Sequence, residues 1–459
     1  MANRKVLGAV ERIDRRRLSY YPIYYYVSSI FFQYYRKVEV RGLENIPKDS
    51  PVIFAPNHQN ALMDALIVLF SSPRDTVFLA RADLFRKKML ARALNTLKIL
   101  PVFRIRDGVE ELGKNQEIFD ITVGILHRNH QLCLMPEGNH GSFRRLRNMG
   151  KGIFRIAFKA QEKMGNQPYV KIVPVGLDFS DYIKHYQTLH IYYGKPIEVS
   201  EYWDNFQENG PRGLNQLKNR LKEDIRPLMI DIQTEEYYDT YMGLRTVFNE
   251  RMREILGIEG GKLSDKFNAD KEMIDRLNLV LEKDETKLTG IKQNVEKYFK
   301  LIDKMKIRDW VVKREGFSIL HLCWRYFSLL VTLPVFLYGF INNALMYFIP
   351  VKLVQNIKDI QFHSSVKAGA AMLLIAPLTY ILQTALVAIF TDEWYYWLVY
   401  IITVYPIGKL ALLWYLRLKK TARGAWFGSQ LRRKKQGAIE MVRLRQSIIE
   451  ETNNLIGQE

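Results

Sequence analysis

Cysteine is nearly absent, with only Cys133 and Cys323 in 459 residues. That scarcity excludes a disulfide-stapled secreted module and an all-cysteine zinc site. Acidic residues are in deficit, 48 against 68 Lys and Arg, for a formal charge of +20. An acidic disordered chain is thereby excluded, and the 12% aromatic content argues against disorder in general. No nucleic-acid recognition motif accompanies the charge, so nucleic acid is not an expected partner. Long apolar runs are lacking before residue 317, and mean hydropathy is −0.16. The chain is therefore not a membrane protein throughout. No Gly-x-Ser-x-Gly elbow surrounds Ser142, and His58 and His140 lack a third metal ligand at a recognisable spacing. A nucleophilic serine and a resident metal are accordingly not expected.

What is present is unevenly distributed. The length suggests two or three units. From Phe317 to Leu418 apolar and aromatic residues dominate. The run Val366–Phe390 carries no formal charge after Lys367, and Trp394–Leu416 is interrupted only by Lys409. Each reaches the roughly 20 apolar residues of a bilayer-crossing helix, so residues 366–418 read as two transmembrane helices. Residues 317–350, broken by Pro334 and by Asn342-Asn343, read as a re-entrant or in-plane hairpin or two very short spans. Basic residues flank these segments while the loop 391–393 has none, which turns that loop outward and keeps the rest cytoplasmic. Residues 419–459 form a basic cytoplasmic tail. Residues 1–36 combine a basic start with Tyr-rich sequence and no small-residue cleavage site, so they read as a membrane-associated segment rather than a signal peptide.

Residues 37–200 alternate short β-branched runs with helical patterns. The strands are expected at Pro51–Pro56, Thr76–Ala80, Ile99–Ile105, Gln131–Met135, Val170–Gly176 and Leu189–Tyr193. Helices are expected at Ala61–Phe70, Arg86–Leu97, Gly108–Arg128 and Gly152–Lys163. That alternation implies an α/β layer fold. Residues 201–316 read as a helical linker region, with a hairpin over Asp265–Met305.

Four stretches carry chemistry. His58 follows the strand Pro51–Pro56 and precedes a helix, a placement suited to proton transfer, and Asp64 is the one acidic residue within eight positions. Arg104 and Arg106 end an apolar strand, where a guanidinium can hold a phosphate bidentately. Pro136-Glu137-Gly138-Asn139-His140-Gly141-Ser142 runs into Arg144, Arg145, Arg147 and Lys151, cations that favour an acidic substrate. Val173-Pro174-Val175-Gly176 closes another strand. Cys133, inside an apolar strand, reads as core.

In order and interval these stretches resemble the glycerol-3-phosphate and lysophosphatidic-acid acyltransferases. The blocks correspond to Asn57–Asp64, Pro101–Arg104, Pro136–Gly138 and Ile172–Gly176, and the resemblance covers about residues 37–200. It implies an α/β fold with a mixed central sheet flanked by helices. It implies His58 as general base with Asp64 as its orienter, and Arg104, Glu137 and Gly138 at the glycerol phosphate. His140, Arg144 and Lys151 are further candidate substrate contacts. The implied partners are a phosphorylated glycerol acceptor, an acyl thioester donor (acyl-CoA or acyl carrier protein) and anionic membrane lipid, with no cofactor. Five residues rather than the family's four separate His58 from Asp64, and His140 stands near the usual Thr/Ser-Arg position. Both features look like the branch using glycerol-3-phosphate or dihydroxyacetone phosphate. A lysophosphatidic acid or other lysolipid acceptor is the nearer alternative, and a non-catalytic lipid-binding scaffold the distant one.

Overall fold

The structure, a computed structural model, describes residues 20–85, 88–102, 113–165 and 169–457, with Ile13 and Leu18 singly. The chain divides into two compact units. The first comprises Met1–Asp231 with Asp359–Ser365, and the second Ile232–Lys358 with Val366–Glu459.

The first unit is built on one mixed sheet. Its strands are β1 (Lys37–Arg41), β2 (Val52–Pro56), β3 (Thr76–Arg81), β4 (Ile99–Val102), β5 (Gln131–Cys133), β6 (Lys171–Phe179), β7 (Thr188–Tyr193) and β8 (Ile197–Glu198). They lie in the order β1-β7-β6-β2-β5-β3-β4, with β8 beside β6. From β6 to β4 every pairing is parallel, whereas β7 and β8 run antiparallel to β6. This is the mixed, helix-flanked sheet expected from sequence. All five residues of β2 are buried, as a strand covered on both faces requires.

Successive side chains of a strand point to opposite faces, and β2 divides its side chains accordingly. Ile53 and Ala55 join a core cluster with helices α4 (Gly113–His127) and α5 (Gly152–Met164), which follow α1 (Tyr20–Tyr34), α2 (Ala61–Ser71) and α3 (Lys88–Thr96) in the chain. Phe54 instead stacks edge-on against Tyr193, 5.5 Å between centroids. Phe31 of α1 and Phe70 of α2 meet at 5.6 Å. The aromatic helix α1 is thus half a core lid: Tyr20, Phe31 and Tyr34 are buried, while Tyr25, Tyr26 and Phe32 remain exposed.

Two strands, β1 and β8, were not among those expected. The unit also extends past residue 200. After α6 (Trp203–Glu208), helix α7 (Gly210–Ile225) places Leu214, Leu217, Leu221 and Ile225 in the α/β core, followed by Met229. Residues 201–231, read from sequence as linker, belong to this unit because their apolar stripe is spent there.

The second unit is helical. It includes α8 (Tyr238–Val247), α9 (Asn249–Ile255), the expected hairpin of α10 (Leu263–Lys283) and α11 (Thr286–Lys304), α12 (Asp309–Lys313), α13 (Ile319–Val331) and α14 (Leu333–Val354). Beyond residue 365 come α16 (Ala376–Phe390), α17 (Trp394–Arg432) and α18 (Gln436–Ile456); the short α15 (His363–Gly369) bridges the two units in sequence. Among the described residues, three helical stretches are long and apolar enough to cross a membrane: Leu333–Val354, Ile360–Phe390 and Trp394–Arg432. Residues 317–350 are not broken at Asn342-Asn343. The helix break falls at Thr332, just before Pro334, and both asparagines lie inside α14. Their amides donate to the carbonyls of Tyr338 and Gly339, each at 2.8 Å, so the helix continues through them.

Candidate active site

The site is assembled where β2 ends. Asn57, buried, extends the sheet with its side chain: its Nδ2 donates to Leu177 O at 3.2 Å and its Oδ1 accepts from Leu177 N at 2.7 Å. The next residue, His58, is thereby delivered from a fixed strand end. Its Nδ1 lies 2.9 Å from Asp64 Oδ2. The same oxygen accepts from the backbone N–H groups of Gln59 at 2.8 Å and Asn60 at 2.7 Å. Asp64 therefore closes the turn that starts α2 and holds the imidazole in one contact set. With a carboxylate as acceptor, Nδ1 carries the proton and Nε2 keeps its lone pair. The His58 side chain is 13% exposed and that of Asp64 fully enclosed.

Glu137 faces this junction from the loop after β5. Its Oε1 accepts from His58 N at 2.8 Å, and its Oε2 accepts from Arg147 Nε at 2.8 Å and Arg147 N at 3.2 Å. Arg147 also donates to the carbonyls of His140 and His58. Burial pushes the Glu137 carboxyl above its ordinary range, while the His58 N–H and Arg147 work in the other direction. Gly138 adopts φ +70°, the left-handed region in which glycine is favoured.

His140 stands edge-on to His58, with ring centroids 5.6 Å apart. Its Nε2 meets Asp359 Oδ2 at 2.7 Å, and the Phe362 ring packs edge-on at 5.3 Å. Burial draws the His140 imidazole below its ordinary range, and Asp359 opposes that shift. A cavity of about 330 Å³ opens over both imidazoles. Gly138, Gly150 and Gly152 line it along with the apolar Leu62, Leu134 and Phe362.

Residues 37–178 match the family model described as Acyltransferase. All four sequence blocks fall inside that range. Among curated proteins nothing matches. A solved structure, the 1-acyl-sn-glycerophosphate (LPA) acyltransferase PlsC from Thermotoga maritima, is similar over 46% of this chain and 87% of that one, at 20% identity and a TM-score of 0.30.

Within the matched residues, the structure brings together His58, Asp64, Glu137, Gly138 and His140. It does not bring Arg144 to the cavity. That guanidinium is buried against Asp178 and the Phe179 carbonyl, with the Tyr182 ring 4.8 Å beneath it. Its place is structural because its charge is spent on a carboxylate inside the fold. Lys151 is exposed on the loop into α5, between the cavity-lining Gly150 and Gly152. Arg104 lies outside the described residues. The Glu137 side chain is fully enclosed, with both oxygens engaged by His58 and Arg147. Two residues escaped the sequence reading of the site, Asp359 and Phe362, and Arg147 entered it only as one cation near an acidic substrate. Arg147 stood in a run of similar cations, and nothing in the sequence tied positions 359 and 362 to position 140.

Proposed function

We propose that the chain is a membrane-bound O-acyltransferase that moves a fatty acyl group from an acyl thioester to a hydroxyl of a phosphorylated glycerol. The observation that carries this is the His58–Asp64 pair: an enclosed carboxylate holding an imidazole at the wall of a partly apolar cavity, within the residues that match the Acyltransferase family model.

The reaction is a direct acyl transfer. His58 Nε2 takes the proton of the acceptor hydroxyl as its oxygen bonds to the thioester carbonyl carbon. The carbonyl π pair moves to oxygen, giving a tetrahedral oxyanion. Its collapse restores the carbonyl and breaks the C–S bond, and the departing sulfur receives the proton from the imidazolium. Asp64 stabilises that transient cation and keeps Nε2 aimed at the acceptor. Glu137 and Arg147 fix the backbone of His58. Arg104 binds the phosphate, so that the hydroxyl is held beside the base instead of arriving by collision. The apolar side of the cavity takes the start of the acyl chain. Long apolar helices place the enzyme at the bilayer that receives its product, and the basic flanks keep the active domain on the cytoplasmic side and draw it to anionic lipid.

The test is purified full-length protein with acyl thioester and a panel of acceptors. His58→Ala should lose at least about 100-fold in kcat, the lower end of general base catalysis. Asp64→Asn should also lower kcat severely while leaving donor KM in place. Normal turnover by folded His58→Ala protein overturns the general-base role. Arg104→Ala should raise the KM of the phosphate acceptor. Use of lysophosphatidic acid with glycerol-3-phosphate ignored would move the assignment to the lysolipid branch.

A further inference from the structure

After α14 the chain returns to the first unit for seven residues, Asp359–Ser365, the last six of which open the helical stretch Ile360–Phe390. This short strap is tied down along its length. Asp359 caps a 3-10 turn over Ile360–Phe362 by accepting from Gln361 N at 3.3 Å. Ser364, buried, donates its hydroxyl to the Tyr182 carbonyl. The Tyr182 hydroxyl in turn donates to Gln59, next to the base. Phe362 completes the cavity wall beside His140.

We propose that Asp359 is a positioning residue for His140, and that the two form a second carboxylate–imidazole pair serving the acceptor side of the acyl-transfer site. The inference rests on the acyl-transfer reading above and deepens it. The two pairs are complementary. Asp64 takes Nδ1 of His58 and leaves Nε2; Asp359 takes Nε2 of His140 and leaves Nδ1. No described residue hydrogen-bonds that remaining nitrogen. Both rings line one cavity at nearly a right angle, 89° between planes. Proton transfer needs one imidazole. A second one, with its tautomer fixed, is suited to hold the acceptor: neutral, it accepts from a hydroxyl, and protonated, it donates to a phosphate oxygen. Its charge is set by its surroundings: Asp359 on the strap, His58 and Asp64 at the β2–α2 junction, and Glu137 and Arg147 on the loop after β5.

The experiment uses the full chain in detergent with Asp359→Ala, Asp359→Asn, His140→Gln and the double variant Asp359→Ala/His140→Gln. Asp359→Asn keeps the side-chain size and the turn cap, so it separates the charge from the strap's folding. In Asp359→Ala the KM for the phosphorylated acceptor should rise about 10-fold, with kcat and donor KM within about twofold. In the His140→Gln background the same change should add nothing further. A readout independent of turnover is the titration of His140 in protein carrying 15N-histidine, with the resonance identified by its loss in His140→Gln. Losing the carboxylate removes a stabiliser of the imidazolium, so the Asp359→Asn titration should move to lower pH. That shift appears even if the protein transfers no acyl group. An unchanged His140 titration overturns the proposal, as does an unchanged acceptor KM in active Asp359→Ala, or an equal loss with His140 already replaced.

Discussion

Ala61 stands between His58 and Asp64, at the turn where the chain enters α2. It takes φ +43°, an uncommon backbone for a residue with a Cβ, at the first position of α2. Across this turn the His58–Asp64 contact closes at 2.9 Å. That pair was legible in the sequence because its partners are six positions apart, within reach of one turn. Asn57 was not, because its part is to imitate a peptide group, and no spacing announces that. Replacing it by Ala strands the N–H and C=O of Leu177 in a buried place. Asn57→Ala should cost about 1–3 kcal/mol of stability, read from thermal or denaturant unfolding. Because His58 then leaves its fixed origin, kcat should fall as well. Unchanged stability would show that water replaces the amide.

At the scale of elements, the inner strands and their helices were legible because they are apolar in unbroken runs, as doubly covered parallel strands must be. Strand β1 was missed because Lys37-Val-Glu-Val-Arg41 is a half-exposed edge, where alternating charge hides the pattern. Helix α7 was recognised as a helix but placed in the wrong body, since an amphipathic stripe does not say which core receives it. The fourth sequence block gains a physical reason at this scale. An added Cβ on Gly176 would lie 1.8 Å from Leu228 O, so the glycine lets the 226–228 turn cross directly over β6. Gly176→Ala should destabilise by about 1–3 kcal/mol, as overpacking of a tight interior does. The measurement is a melting curve of the purified protein, and an unshifted midpoint would mean that the turn moves aside freely.

At the scale of the whole molecule, the sequence indicated which stretches are apolar but not how their polar residues are satisfied. Asn342 and Asn343 look like breaks because their partners lie on other helices. Tyr400 donates to Asn342 Oδ1 at 2.8 Å, Tyr380 donates to Asn343 Oδ1 at 2.6 Å, and Asn343 donates to the Val404 carbonyl at 3.1 Å. Such bonds join helices where water is scarce. A double-mutant cycle of Asn343→Leu with Tyr380→Phe should give a coupling of about 0.6 kcal/mol and no more than about 1.7, measured by unfolding in detergent. Zero coupling would mean that the bond does not join the helices.

The link between His140 and Asp359 spans 219 positions. Ribosomes build from the amino end, so a nascent chain whose sheet is already made has yet to receive its aspartate. At about 5–20 residues per second, the wait is on the order of ten to forty seconds. During that interval the young protein holds its first histidine pair but not its second, and two long greasy segments must emerge around the missing piece.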